Sequence, residues 1–242
     1  IQLLNAHLNI LGGPEELSAD RAGTVETLLS KDPRVKAYAP LVLGTGLVSG
    51  PSTRVGQVAK VVGIDPKLQA AVVDLKRFVE GGTFLGDSPD GAHGALLGAD
   101  LAASLGVGPG DTVQLLAPRL TLSPFGNIPK MVSLRVSGVL RTGYYLYDTE
   151  FVYIDLPLAQ TLFTSPGVVS AVQVRLRSGE EVGPCRTAFQ RALGADYRVL
   201  DLIGSNAEFF KALRMERVLL FLAIGLIVLV ASLNIVSTLI LM

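Results

Sequence analysis

Apolar and polar positions follow several distinct patterns along the chain. From Glu15 to Ser30, Leu17, Val25, Leu28 and Leu29 recur on one side at helical spacing, and Pro33 stands just beyond, so an amphipathic helix is expected there. Val35–Val48 and Arg54–Ile64 are β-branched and partly alternating. They are parted by the turn-forming Ser49-Gly50-Pro51-Ser52 and read as strands. Leu68–Val79 fits a helix ended by Gly81-Gly82. A short strand at Ala95–Leu97 and a short helix at Ala99–Leu105 follow, then a turn at Gly110-Asp111 into a strand over Thr112–Leu116. Further strands are expected at Val132–Leu140, Phe151–Ile154, Val168–Leu176 and Tyr197–Leu202. Between them lie an aromatic loop, Tyr144–Asp148, and a helix capped by Asp155 that runs through Phe163 and tolerates Pro157 in its first turn. A second helix is expected at Glu180–Leu193. The fold class these elements predict is α+β.

Two stretches break the pattern. Pro118, Pro124 and Pro129 fall within one segment ending at Lys130, and prolines at that density exclude a helix or a central strand. The other stretch is the C-terminal run. Ser205 and Glu208 form a capping box, and nothing after Asn206 breaks a helix, so one helix is expected from there through Met242. Its first part, Asn206–Arg217, reads as a stalk outside the bilayer. Val218–Met242 carries no charge, and about 25 residues rise about 37 Å as a helix, enough to cross the hydrocarbon core. Core helices of soluble proteins rarely hold more than about 14 purely apolar residues, so a transmembrane helix is the reading adopted.

Composition agrees once that run is set apart. The chain is 49% hydrophobic and only 17% charged, and the apolar excess is local. A net charge of zero without a basic block argues against nucleic-acid binding. Cys185 is the single cysteine and cannot form an internal disulfide. His7, His93 and Cys185 lack zinc-site spacing, and Asp87, Asp90 and Asp100 lack that of a calcium loop. No P-loop, nucleophile elbow or H-E-x-x-H is present, and the glycines at 106, 108 and 110 read as a turn, so no enzymatic role is expected. Ile1–Leu11 has no basic region or cleavage motif of a signal peptide. The chain opens at Ile1 and stops inside its apolar run, so further membrane segments are expected outside it.

Several ordered segments resemble the LolC/LolE family of lipoprotein-releasing permeases. They are Val62-Gly63-Ile64-Asp65-Pro66, Leu97-Gly98-Ala99-Asp100-Leu101-Ala102 and Gly108-Pro109-Gly110-Asp111-Thr112-Val113. Further on come Pro124-Phe125-Gly126-Asn127-Ile128-Pro129, Phe209 through Arg217, and Val230-Ala231-Ser232-Leu233-Asn234-Ile235-Val236-Ser237-Thr238-Leu239. The glycine-aspartate turns are shared with the wider superfamily that includes MacB-like efflux permeases, whereas the proline-flanked segment and the Asn-Ile-Val-Ser-Thr span point to the Lol branch.

That resemblance implies a periplasmic domain of two subdomains followed by a transmembrane helix. Residues 1–64 and 166–204 would form a βαβ-like membrane-proximal part, 65–165 an inserted β-rich part, 205–217 the stalk and 218–242 the span. It implies a permease in the bacterial inner membrane that pairs with a second permease, as homodimer or heterodimer, and with a separate LolD-like ATPase. ATP and magnesium would be bound by that ATPase and no cofactor by this chain. A lipoprotein would pass to a LolA-like periplasmic chaperone. In the family a hairpin of the inserted part hooks the chaperone, and here that role falls to Pro118, Leu122, Pro124, Phe125, Gly126, Asn127, Ile128, Pro129 and Lys130. Leu122, Phe125 and Ile128 would be the apolar contacts. Prolines also pre-set the backbone, so docking costs less conformational entropy. Of the basic and polar residues that follow the family's second proline, only Lys130 has a counterpart, with Met131 and Val132 after it.

In the span, Ala223, Ala231, Asn234, Ser237 and Thr238 share one helical face, suited to close packing against another helix. Lys211, Arg214 and Arg217 precede the span, where the positive-inside rule would put the cytoplasm; the resemblance puts the periplasm there and is followed. The competing expectations are a MacB-like efflux permease and a membrane-anchored periplasmic binding module without an ATPase.

Overall fold

The computed structural model describes residues 6–13, 16–51, 56–85, 93–123, 126–201 and 207–242, with the side chains of 119–128, 180 and 207–213 outside that description. It contains two compact units, 1–201 and 202–242.

The first unit is built on one mixed sheet. Its strands are β1 (Leu8–Gly12), β2 (Val35–Ser49), β3 (Gln57–Ile64), β4 (Val79–Gly82), β5 (Gly94–Gly98), β6 (Thr112–Ser123), β7 (Gly126–Leu140), β8 (Phe151–Asp155), β9 (Ala171–Leu176) and β10 (Tyr197–Asp201). The order is β10-β1-β9-β2-β3-β8-β5-β7-β4, with β6 pairing both β2 and β7. Strands from residues 65–165 thus fill one side of the order, and strands from both ends of the unit fill the other. They join where β3 and β8 run parallel, Ile64 opposite Asp155.

Alternation along the strands explains the layers. In β3, Ala59 and Val61 enter one core cluster while Val62 and Ile64 enter a second. In β8, Val152 and Ile154 go to the first and Tyr153 to the second. Four helices add buried residues to the first cluster: α1 (Ala19–Lys31) through Val25 and Leu29, α3 (Ala99–Leu105) through Leu101 and Leu105, α5 (Leu156–Phe163) through Ala159 and Leu162, and α6 (Val182–Leu193) through Cys185 and Phe189. The second cluster is covered by α2 (Pro66–Val72), the 3-10 turn Leu75–Phe78 and Phe84-Leu85. Two glycines permit the close seam under α5: a Cβ on Gly63 would collide with the Ala159 methyl, and one on Gly44 with the Phe163 ring.

Several expected elements differ. Leu68–Val79 is not one helix. Asp65 caps α2 by accepting the Lys67 and Leu68 N–H groups at 2.8 and 3.1 Å, and α2 ends at Val72, whose carbonyl accepts the Arg175 guanidinium of β9. Val79–Gly82 then becomes an edge strand on β7, where Gly82 (φ +83°) lies against Gly138. The Gly-Gly pair is therefore a close strand approach and not a helix stop. The aromatic loop is the short helix α4 (Tyr145–Glu150). Buried Asp148 folds its entry by accepting the Thr142 N–H, the Thr142 hydroxyl and the Gly143 N–H, and Tyr147 packs on Phe151 with ring centroids 4.7 Å apart. Strand β1, between β9 and β10, lies in a segment for which the sequence pattern predicts no element. The N-terminal helix starts at Ala19, later than expected, because Leu17 bridges to Val169.

The second unit holds one long helix, α7 (Ala207–Leu241), continuous through the expected stalk and span. The Ser205 cap lies outside the described residues. Arg214–Leu241 is long and apolar enough to cross a membrane, and none of its most apolar stretch is buried. It rises about 42 Å. Thr238 donates its hydroxyl to the Asn234 carbonyl and Ser232 to that of Val228, which satisfies both hydroxyls within the helix.

Candidate functional site

The proline-rich segment is the end of a long antiparallel hairpin. Strands β6 and β7 pair from Thr112 opposite Arg135 to Ser123 opposite Gly126, so the strands run through the prolines and no irregular loop replaces them. Prolines are tolerated because this part is a ribbon outside the central sheet. On its outer side β6 pairs β2 only from Gln114 to Leu116, and beyond that the hairpin pairs with itself. The register slips between Ala117 and Leu120, which leaves Pro118 and Arg119 bulged. Pro118, Gly126, Asn127, Pro129 and Lys130 thus belong to one ribbon, with Leu122 opposite Asn127 and Ile128 opposite Thr121. Pro124 and Phe125 lie outside the described residues, as do the side chains of Leu122, Asn127 and Ile128.

The faces at the root of the hairpin differ. Ala117 is fully buried and pairs with Lys130, so Lys130 shares the helix-covered face. Its ammonium donates to the Thr161 carbonyl at 2.9 Å. Thr161 sits in the last turn of α5, where carbonyls lack helical partners and a cation adds about 0.3–1 kcal/mol. A cavity of about 450 Å³ lies beside this contact, lined by Glu16, Pro118, Phe163, Thr164 and Ser165. The opposite face is open. Directly paired residues form an apolar row across four strands: Val58 of β3, Leu47 of β2, Leu116 of β6 and Met131 of β7. Val58 and Met131 are 66% and 64% exposed. Sequence reasoning missed this row, because it depends on registers among distant strands.

A second recess, about 700 Å³, lies where β3 and β8 end and their helices leave to opposite faces. Asp65, Lys67, Lys76, His93 and Asp155 line it with Ile64, Leu85 and Leu156. Burial pushes the Asp155 carboxyl up, while His93 pulls it down and Asp65 pushes it up. The Asp65 carboxylate is committed to capping α2. Among the described residues no group of three His, Cys, Asp or Glu side chains could hold a metal ion. Of the acidic residues considered for calcium, Asp87 and Asp90 lie outside the described residues. In α7, Ala231, Asn234, Ser237 and Thr238 are all exposed.

The chain is similar to known proteins over most of its length. The chain is 28% identical over 87% of its length to the lipoprotein-releasing system transmembrane protein LolC of Xylella fastidiosa, covering 50% of that protein. It is 25% identical over 97% of its length to the lipoprotein-releasing system transmembrane protein LolE of Haemophilus influenzae, covering 56% of it. The chain therefore spans about half the length of the curated relatives it matches. In fold it resembles the periplasmic region of MacB from Actinobacillus actinomycetemcomitans, with a TM-score of 0.53 at 16% identity, over 83% of this chain and 91% of that one. The family model of the MacB-like periplasmic core domain matches residues 5–192, so the chain belongs to that family and carries after it a helix able to span a membrane.

Proposed function

We propose that this chain is part of a permease subunit of an ABC transporter that releases lipoproteins from the bacterial inner membrane and hands them to a periplasmic chaperone. The β6–β7 hairpin is the docking arm. The observation that carries this reading is the ribbon itself: two strands that continue past their last pairing with β2, beside an open apolar row. Pre-shaped backbone and exposed apolar side chains suit an anchor in a partner's pocket. The sheet unit lies in the periplasm and works by movement, with residues 65–165 as the subdomain that bears the arm.

ATP hydrolysis belongs to a separate ATPase subunit, which binds the nucleotide and magnesium, and a second permease copy or paralogue completes the membrane part. Within the span, Ala231, Asn234, Ser237 and Thr238 pack against neighbouring helices, since an intramembrane Asn is costly against lipid. The likeness to the MacB periplasmic region favours one second reading, an efflux permease of the same architecture.

A photocrosslinking residue at position 125 of the full-length protein, probed with the LolA-type chaperone of the same organism, tests the assignment. A crosslink abolished by Pro124→Ala with Ile128→Asp is expected. No crosslink, in a protein that still binds its ATPase, removes the docking role and favours the efflux reading.

A further inference from the structure

We propose that Lys130 is a positioning residue: it latches the root of the hairpin to the last turn of α5 and so sets the direction in which the arm leaves the sheet. The geometry of the root carries this. Lys130 is the last residue of β7 in register before the slip at Pro118 and Arg119. Its neighbour Pro129 brings no N–H to the ladder. The joint between sheet and arm is thus bulged on one strand and short of a donor on the other. A two-stranded ribbon alone is marginally stable and twists readily, so a side-chain fastening at its root governs its orientation.

Lys130 is that fastening. It lies on the helix-covered face with Ala117, and its ammonium meets the Thr161 carbonyl at 2.9 Å. Met131 occupies the opposite, open face. A partner lying on the apolar row therefore meets Met131 and not Lys130. The far end of the latch is well braced. Phe163 of α5 packs against the backbone of Gly44 in β2, and Ala159 against Gly63 in β3. Helix α5 also carries the chain from β8 towards β9, from one side of the sheet order to the other. Its last turn is where a change in the relation of the two sides would reach the arm.

The test uses the full-length protein with Cys185→Ala, spin-labelled through Asn127→Cys in the arm and Thr45→Cys on β2. A single narrow distance is expected with Lys130 and with Lys130→Arg, and a broadened or shifted one with Lys130→Met. If the Met variant does not fold, Lys130→Gln takes its place. An unchanged distance in the Met or Gln variant overturns the proposal. The second readout rests on the docking function proposed above: crosslinking from position 125 should fall about two- to fivefold in the Met variant and return in the Arg variant. Capture lost while the distance stays fixed would make Lys130 a direct partner contact and also overturn the proposal. A wild-type protein that captures no chaperone sinks the docking reading alone, because the distance measurement still judges the latch.

Discussion

The two sides of the sheet are assembled differently. In β10-β1-β9-β2-β3 every neighbouring pair is antiparallel, and β1 and β10 bring the two ends of the unit together, Leu8 opposite Asp201. The side made of β4 to β8 comes from one continuous stretch, mixes parallel and antiparallel pairs, and projects the hairpin. On the first side β1, β9 and β10 join through contacts distant in sequence, the slow kind to form, whereas the second side can form largely from its own segment. A contiguous stretch built this way can carry a projecting hairpin without disturbing the strands that hold the chain ends together.

The largest expected effect tests whether the two sides melt as one. Leu134 of β7 is fully buried, and Leu134→Ala should cost about 2–5 kcal/mol. Calorimetry of the sheet unit should still show a single transition at lower temperature. Two resolved transitions would show that the side made of β4 to β8 unfolds alone, and would sharpen the difference into a boundary. The seam itself comes next. Gly63→Val would force β3 away from Ala159 of α5, at a cost of about 1–3 kcal/mol. A variant as stable as the wild type would mean that the close approach of α5 does not hold the sides together.

A further pair of changes separates buried polar fastening from exposed apolar surface within the side made of β4 to β8. Asp148→Ala leaves the Thr142 and Gly143 N–H groups without their acceptor and should cost about 1–3 kcal/mol. Met131→Ala should change stability by less than about 0.5 kcal/mol, because Met131 is 64% exposed. The same substitution should weaken chaperone capture if the apolar row is a docking face. Chemical denaturation of both variants measures the contrast, and equal losses would contradict it.

Legibility in the sequence followed the range of the forces involved. Helix α3, Ala99–Leu105, has the bounds its local pattern predicts, and β3 and β8 are strands where strands are expected, because propensity and periodicity act within a few residues. Val79–Gly82 reads as the end and stop of a helix until β7 supplies a partner, and α4 was hidden because a buried carboxylate, not an apolar stripe, shapes it. The prolines marked the segment and the family resemblance made it a hairpin, but which face each residue of its root presents was not legible. That parity is set by pairing Ala117 with Lys130 beside a register slip, so only the structure separates Lys130, turned to α5, from Met131, turned outward. The long apolar C-terminal helix was the most legible feature, since its length and hydropathy, both local properties, are what make it able to cross a bilayer.

A small, pH-dependent effect concerns the side that gathers the chain ends. His7 precedes β1, and its Nδ1 accepts the Leu176 N–H of β9 at 3.1 Å. Burial, followed by the nearby Arg175 charge, holds its pKa below the usual 6.5. Above 6.5 the imidazole is neutral in folded and unfolded chains alike, and its contribution is intact. As pH falls below 6.5 the unfolded chain takes up the proton first, so the folded state loses stability until the lowered folded pKa is reached. His7 is only half-buried and solvent screens it, so the loss between pH 7 and 5 should stay below about 1 kcal/mol. His7→Asn keeps an acceptor but cannot titrate, and its melting temperature should decline less than the wild type's over this window. Asp32, whose carboxyl the Arg34 guanidinium pulls down, titrates below this window and does not mask the difference. A parallel decline in both proteins would place the pH sensitivity elsewhere and leave the side holding the chain ends as insensitive to acid as a wholly apolar sheet.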